Sequence, residues 1–400
     1  MEYIKFENFI DSTQYGYTAD TTSLVSGDAK YLRITDIVPY FVDKDRVPFC
    51  AIDASKVDKY LVHDGDVLIA RTGATTGYNL VVDDSFNNYV FASYLIRFNY
   101  NRKKLYPRYL KYVLKSPSWY GFVNNYIGGS AQPGMNARVF GKYYLPYTDL
   151  YTQQRIASIL SAYDSQIENN QKRIKLLEQM AENLYKEWFV RFRFPGYENV
   201  EFEGGIPKGW NVFCLSNYGR IETGKTPSME HPEYYGGKYL FIKTPDMHDE
   251  MYVLDTSESL SELGNKIQPN KLLPENSIMV SCIGSAGVVA INAKPAHTNQ
   301  QINSIVLKDI RELEWLYFTC KFLKPTIELF GATGATMTNL SKGKFERLKV
   351  INPSMNIKEK YHTLCHSMFQ TIKCLQEKNL ALTHQRDLLL PRLMSGKLSI

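Results

Sequence analysis

The sequence predicts an α+β chain in which two pseudo-repeated mixed α/β domains are joined by two long helices that form an antiparallel coiled coil. Three observations predict it: the chain repeats itself with a period of about half its length, glycine-punctuated apolar runs recur in each copy, and a helical heptad seam closes each copy. Tyr31-Leu-Arg-Ile-Thr-Asp36 returns as Tyr239-Leu-Phe-Ile-Lys-Thr-Pro-Asp246, and Asp66-Val-Leu-Ile-Ala-Arg-Thr-Gly73 as Asn276-Ser-Ile-Met-Val-Ser-Cys-Ile-Gly284. A glycine turn and an apolar run follow in both, at Gly77–Val82 and Gly287–Ile291. Next come helical apolar-aromatic patches, Tyr109–Tyr126 and Trp315–Phe330, then small-residue loops at Gly128–Gly134 and Gly331–Thr336. The pattern divides the chain into a first domain at 1–150, a central helical spacer at 151–195, a second domain at 196–353 and a distal helical spacer at 354–400.

The two spacers step by fours and threes throughout. Ile156, Leu160, Tyr163, Ile167, Asn170, Ile174, Leu177, Ala181, Leu184 and Trp188 form one seam. Tyr361, Cys365, Met368, Ile372, Leu375, Asn379, Leu382, Arg386, Leu389 and Leu393 form the other. Neither Pro nor Gly interrupts 156–188 or 361–390. Two amphipathic helices lying separately on their own domains would show a similar period, but two narrow seams of equal length favour pairing with each other. Antiparallel pairing sets Asn170 opposite Asn379, a polar pair suited to fixing register, on helices about 50 Å long, with a domain at each end of the rod.

Composition bounds the function. The 400 residues are 44% hydrophobic and 22% charged, those of an ordinary folded chain. A net charge of +6 is compatible with nucleic acid without arguing for it, and the aromatic content of 13% is the unusual figure. Six scattered cysteines lack CxxC spacing, so no zinc ribbon or redox dithiol is signalled and a reducing compartment fits best. The first ten residues carry Glu2, Lys5 and Glu7 and no apolar core, and Ser277–Ala293 is too short and too polar to span a bilayer. The expectation is a soluble cytoplasmic protein without membrane attachment.

Charge distribution is more informative than charge total. Between Ser85 and Thr148 there is no Asp or Glu, but Arg97, Arg102, Lys103, Lys104, Arg108, Lys111, Lys115, Arg138 and Lys142 are present among many tyrosines. The matching stretch of the second half holds Lys321, Lys324, Lys342, Lys344, Arg347 and Lys349 against Glu328 and Glu346. A basic run is most often a solvated face, but its recurrence at the same place in both copies predicts a binder with two nucleic-acid sites. Candidate DNA contacts lie at the glycine turns and small-residue loops: Arg71, Thr72, Thr75, Gln132, Asn136 and Arg138 in the first copy, and Ser281, Ser285, Thr338, Asn339, Ser341 and Lys344 in the second. Amides and Arg make bidentate base contacts, whereas Lys and Thr hold phosphate; a turn or cap role competes at each position.

Catalytic motifs fail on context. Gly219-Arg-Ile-Glu-Thr-Gly-Lys-Thr226 matches GxxxxGK[ST], but Pro227, Pro232, Gly236 and Gly237 forbid the helix a phosphate loop requires. Lys225 and Thr226 therefore join the candidate DNA contacts. His362 and His366 have zinc spacing on a helix but no HExxH glutamate and no obvious third ligand, so no metal is expected. Asn352-Pro-Ser354 lacks the second proline and the aromatic of an amino-methyltransferase motif.

Nearly the whole chain resembles the DNA specificity subunit of type I restriction-modification enzymes. Gln14-Tyr-Gly-Tyr-Thr-Ala19 is similar to the start of a family target-recognition domain, and Gly224-Lys-Thr-Pro-Ser228 to the opening of the second. Gln153-Gln-Arg-Ile-Ala-Ser-Ile-Leu160 and Leu184-Tyr-Lys-Glu-Trp-Phe189 resemble the central helical region, and Gln385-Arg-Asp-Leu-Leu-Leu-Pro-Arg-Leu-Met-Ser-Gly396 the distal one. The second helix departs from the pattern: Asn356-Ile-Lys-Glu-Lys360 stands where the first copy has Gln153-Gln154. The resemblance implies two target-recognition domains, each reading half of a split site in double-stranded DNA, and helices that set the spacer and dock methyltransferase (modification) subunits. It implies no catalysis by this chain and no cofactor of its own. S-adenosylmethionine, ATP and Mg belong to partner subunits, restriction/translocase subunits among them. The competing readings are a coiled-coil scaffold without DNA readout and a P-loop enzyme centred on Lys225.

Overall fold

The computed structural model describes residues 1–21, 26–127, 134–248, 250–331 and 339–398. It forms two compact units, Met1–Glu168 with Ala381–Ile400, and Asn169–Leu380. Each long helix contributes one stretch to each unit, so the packing divides the helices between the units.

In the first unit the apolar run Val67–Ala70 is a fully buried strand, as a run without polar alternation requires. It lies between Leu95–Tyr100 and Asn79–Val81 in an antiparallel sheet completed by Ile10–Tyr15. A three-stranded sheet runs Phe49–Cys50, Ala29–Leu32, Tyr89–Phe91, its last pair parallel. Glu2–Lys5 pairs with Tyr144–Tyr147. The second unit repeats this plan. Gly219–Thr223, Ile302–Leu307, Ile278–Ser281 and Val289–Asn292 form the sheet, with Tyr252–Val253 added in parallel at its edge. Ser259–Leu260, Tyr235–Ile242 and Ala296–Thr298 form the smaller sheet, and Asn211–Cys214 pairs with Lys349–Asn352. The repeated aspartate does the same work in both copies: the amide of Arg33 donates to Asp36 at 2.8 Å, and that of Lys243 to Asp246 at 2.8 Å. Each predicted helical patch is two helices, Pro107–Val113 and Pro117–Ile127, then Leu313–Phe322 and Lys324–Gly331. Pro117 and Pro325 explain the breaks, because proline is tolerated in a first turn and not in a helix interior.

The central helix spans Leu150–Tyr185 and ends in a π-helical turn, Lys186–Val190, earlier than the spacer boundary at 195. Asp149 caps it by accepting from the amide of Thr152 at 3.0 Å. The distal helix spans Met355–Met394 and carries Pro391 in its last turns. The helices run antiparallel within each unit. In the second, Asn170 Nδ2 donates to Asn379 Oδ1 at 2.8 Å and Tyr361 donates to the carbonyl of Ala181 at 2.9 Å. In the first, Ile156, Ala157 and Leu160 share a core with Leu390, Leu393 and Met394. Arg386, placed in the apolar seam by its spacing, is buried as a charge: its Nη1 donates to the buried Asp164 at 2.9 Å.

The departure at the start of the distal helix is also a buried charge. Gln153 is fully buried, accepting from the amide of Tyr106 at 2.8 Å and donating to the carbonyls of Lys104 (3.0 Å) and Thr148 (2.7 Å). Lys358 stands at the same step after Ser354, whose carbonyl accepts the first helical amides, as Gln153 does after Asp149. Its ammonium is buried between Glu312 and Asn352. A neutral amide in one copy is thus a charge pair in the other. Lys358→Ala should lower the stability of the second unit by about 3 kcal/mol, because Glu312 would remain buried and uncompensated; urea denaturation of the full chain measures it, and a loss under about 0.5 kcal/mol, as at an ordinary surface position, would contradict it.

Candidate nucleic-acid interface

Four chain segments meet at one end of the larger sheet of the first unit. The turn between Val67–Ala70 and Asn79–Val81 holds Gly73 at φ 74° and Gly77 at φ 88°. A Cβ on Gly77 would lie 2.7 Å from Val123, so glycine is required there for space as well as for conformation. The indole of the buried Trp119 donates to the Gly77 carbonyl at 2.8 Å and anchors the turn. The Arg71 carbonyl accepts from the amide of Met135 at 2.9 Å, and Thr72 bridges Gly134, which lays the segment 134–138 beside the turn. Asn136 caps the helix Ala137–Gly141, accepting from Val139 N at 3.0 Å, and Arg138 is exposed on it. The amide of Arg71 donates to the Tyr94 carbonyl at 3.1 Å, and its guanidinium lies over the Tyr15 ring at 5.0 Å. Arg71, Thr72, Thr75, Asn136 and Arg138 are therefore brought together; Gln132 lies outside the described residues.

The second unit builds the same junction with different chemistry. The amide of Leu340 donates to Cys282 O at 2.9 Å, and Ile283 bridges Asn339, which sets 339–344 beside the turn holding Gly284 at φ 75° and Gly287 at φ 82°. Among the described residues no tryptophan anchors this turn. Ser281 does so instead: its hydroxyl donates to Ser285 O at 2.6 Å and accepts from Val288 N at 2.9 Å. Ser281 is completely buried, so it holds the loop from inside and offers no surface contact. Ser285, Asn339, Ser341 and Lys344 are exposed, and Ser341 precedes the helix Lys342–Glu346 as Asn136 precedes its counterpart. Thr338 lies outside the described residues.

Lys225 and Thr226 follow the strand Gly219–Thr223, the first part of the phosphate-loop string. The amides of Gly224 and Lys225 are already used, donating to Ile302 O (3.2 Å) and Thr298 O (2.9 Å). Gly224 is small because the Thr298 carbonyl would lie 2.2 Å from its Cβ; Gly16 meets Ala92 O at 2.3 Å in the same way. The two openings Gln14–Ala19 and Gly224–Ser228 thus share one packing requirement. Lys225 is exposed, and Thr226 donates to Gln300 at 2.6 Å, next to Gln301, whose carbonyl receives Cys282 N at 2.7 Å. Sequence reasoning missed Tyr15, Tyr94 and Gln300, exposed at these junctions. For Tyr94 and Gln300, a polar or aromatic residue in a turn was the available signal; Tyr15 ends the strand Ile10–Tyr15.

Of the basic stretch in the first copy, part faces inward, which corrects the expectation drawn from its lack of acids. Arg97 is buried against Asp66 (3.3 Å) and the carbonyls of Lys59 and Leu61, and Arg102, itself exposed, also reaches Asp66 at 3.1 Å. Lys111 pairs with Asp164 at 2.6 Å, and burial beside Lys111 pushes the Lys115 ammonium down to about 8. The acids come from outside the stretch. Lys103, Lys104, Arg108, Arg138 and Lys142 remain exposed. His362 and His366, expected on the helix surface without a third ligand, both meet the buried Glu314.

The family model described as type I restriction modification DNA specificity domain matches residues 27–179 and 207–384. The chain belongs to this family. It is 31% identical to the type I restriction enzyme HindI specificity subunit of Haemophilus influenzae, over 85% of this chain and 88% of that one. It is 29% identical to the MjaIX specificity subunit of Methanocaldococcus jannaschii, over 73% and 69%. The crystal structure of a type I restriction-modification S subunit from M. genitalium has the same fold, with a TM-score of 0.60 at 16% identity over 98% of this chain and 96% of that one. The chain is thus a specificity subunit of a type I restriction-modification system, a non-catalytic DNA-recognition component of a larger complex. The scaffold and P-loop readings give way to it, the latter also because the amides needed for phosphate are spent on Ile302 and Thr298. Among the described residues no helix is long and apolar enough to cross a membrane.

Proposed function

We propose that each domain reads one half of a bipartite site in double-stranded DNA, and that the paired helices hold the unread spacer constant and dock methyltransferase (modification) subunits. Restriction/translocase subunits join that assembly in the cytoplasm. S-adenosylmethionine, ATP and Mg are held by those partners, and this chain contributes recognition. The observation that carries the reading is the recurrence, in both units, of one junction of glycine turn, short helix and domain-opening segment, presenting different side chains: Arg71, Asn136 and Arg138 in one, Ser285, Asn339 and Lys344 in the other. Equal backbones with unequal side chains suit two different half-sites. Exposed Lys and Arg supply salt-dependent phosphate attraction, and Arg, Asn and Gln can read base edges in the major groove. Rigid attachment to paired helices turns half-site separation into a matter of geometry. Co-expression with the cognate methyltransferase subunit in a methylation-free host, followed by genome-wide mapping of methyladenine, tests this. One bipartite motif with a constant spacer is expected; a contiguous motif or a variable spacer would overturn it.

A further inference from the structure

We propose that Glu314, His362 and His366 form a site for a divalent transition-metal ion of the zinc type, which clamps the second domain to the distal helix. His362 and His366 lie one turn apart on that helix, their rings 4.8 Å between centroids. Glu314 comes from the facing helix Leu313–Phe322. His362 Nδ1 lies 2.7 Å from one carboxylate oxygen and His366 Nδ1 lies 3.0 Å from the other. The three groups can each offer one ligand atom, all within 4.8 Å of one another. Ligands about 2.1 Å from a tetrahedral ion stand about 3.4 Å apart, so a small outward shift of the imidazoles admits one. Two nitrogens and one carboxylate oxygen make the donor set of an open zinc site.

Charge argues the same way. The Glu314 side chain is 0% exposed, and among the described residues its hydrogen-bond partners are these two imidazoles. A buried carboxylate demands positive charge. A divalent ion supplies it to all three ligands at once. The His366 side chain is 46% exposed, so a fourth position faces solvent, and the bound ion exchanges with the medium. The clamp would join the start of helix 313–322 to the distal helix, beside the Lys358–Glu312 pair.

The test uses the full chain carrying Cys374→Ser to remove an exposed thiol, stripped with chelator and titrated with Zn²⁺ by calorimetry and with Co²⁺ by visible absorption. One ion per chain is expected, with a cobalt ligand-field band. His362→Gln and His366→Gln should each weaken binding at least about tenfold, the loss that even outer-sphere substitutions cause, and abolish the band. His384→Gln, on an exposed stretch of the same helix, should change neither. His366 is half-exposed, so its variant should fold, which thermal melting without metal verifies. Absence of binding, or binding unchanged in His366→Gln, would overturn the site and leave an imidazolium–carboxylate contact as the cluster's whole role.

Discussion

Asp164→Ala should destabilise the first unit by about 3–5 kcal/mol, the cost of removing one partner from a buried charge pair. Asp164 and Arg386 have side chains only 6% exposed. The carboxylate accepts from Arg386 Nη1 at 2.9 Å, Lys111 Nζ at 2.6 Å, Tyr112 OH at 2.8 Å and Tyr40 OH at 3.3 Å. The Arg386 guanidinium also lies over the Tyr40 ring at 3.8 Å. One residue of the central helix therefore gathers the distal helix and two parts of the first domain. Without it, the buried Arg386 keeps, among the described residues, only Asp387 at 2.8 Å, the partly buried Lys111 loses its carboxylate, and two hydroxyls lose their acceptor.

The check is chemical denaturation of the full chain with hydrogen exchange read by segment. Protection should fall in Pro107–Val113, the first half of the central helix and 381–394, and hold in the second unit. The paired change Asp164→Leu with Arg386→Met should recover most of the loss, since an apolar pair of similar volume often matches a buried ion pair. A single-substitution loss below about 0.5 kcal/mol, within the spread of ordinary surface changes, would show that Asp164 is hydrated in solution and that the cluster does not hold the unit together.

What was legible in the sequence had a period. The repeat surfaced as matching strings because the same strands and turns are built twice, and Asn170 and Asn379 stood out as polar steps in apolar seams. Asp164 was not legible, because a charge beside a heptad position normally marks a solvated flank, and only the long-range meeting with Arg386 and Lys111 makes it interior. Arg97 and Lys111 stand in an acid-free basic run in the sequence for the converse reason: their acids, Asp66 and Asp164, lie far off in the chain. The junction of Tyr15, Tyr94, Arg71 and Met135 depends on strand order across the sheet, which alternation does not encode. The phosphate-loop string shows the limit of a motif. Gly224 is demanded by the approach of the Thr298 carbonyl, a packing need that produces the same letter as a phosphate cradle.

Exchanging residues 200–352 for the corresponding segment of another type I specificity subunit should replace one half of the recognised site and leave the other half and the spacer unchanged. The cut points respect the fold: Asn211–Cys214 and Lys349–Asn352 are partners in one small sheet and travel together. Ties remain between the exchanged segment and the helices, and the incoming domain must meet them. Thr319 shares a hydrogen bond with Tyr185 at 3.1 Å, the amide of Tyr252 donates to Gln376 at 3.2 Å, and Glu312 and Glu314 face Lys358 and the two histidines. A donor lacking these groups should lose stability without altering the first half-site, because the loops that present Arg71, Asn136 and Arg138 lie wholly in the first unit. The effect on recognition is large: each mismatched base pair costs about 1–3 kcal/mol, so even two changed positions separate old and new sites by about 2–6 kcal/mol. Methylome mapping of the exchanged complex reads the result. Change in both halves would mean that the domains do not read independently; change in neither would place recognition outside 200–352, and either result would overturn the two-domain reading.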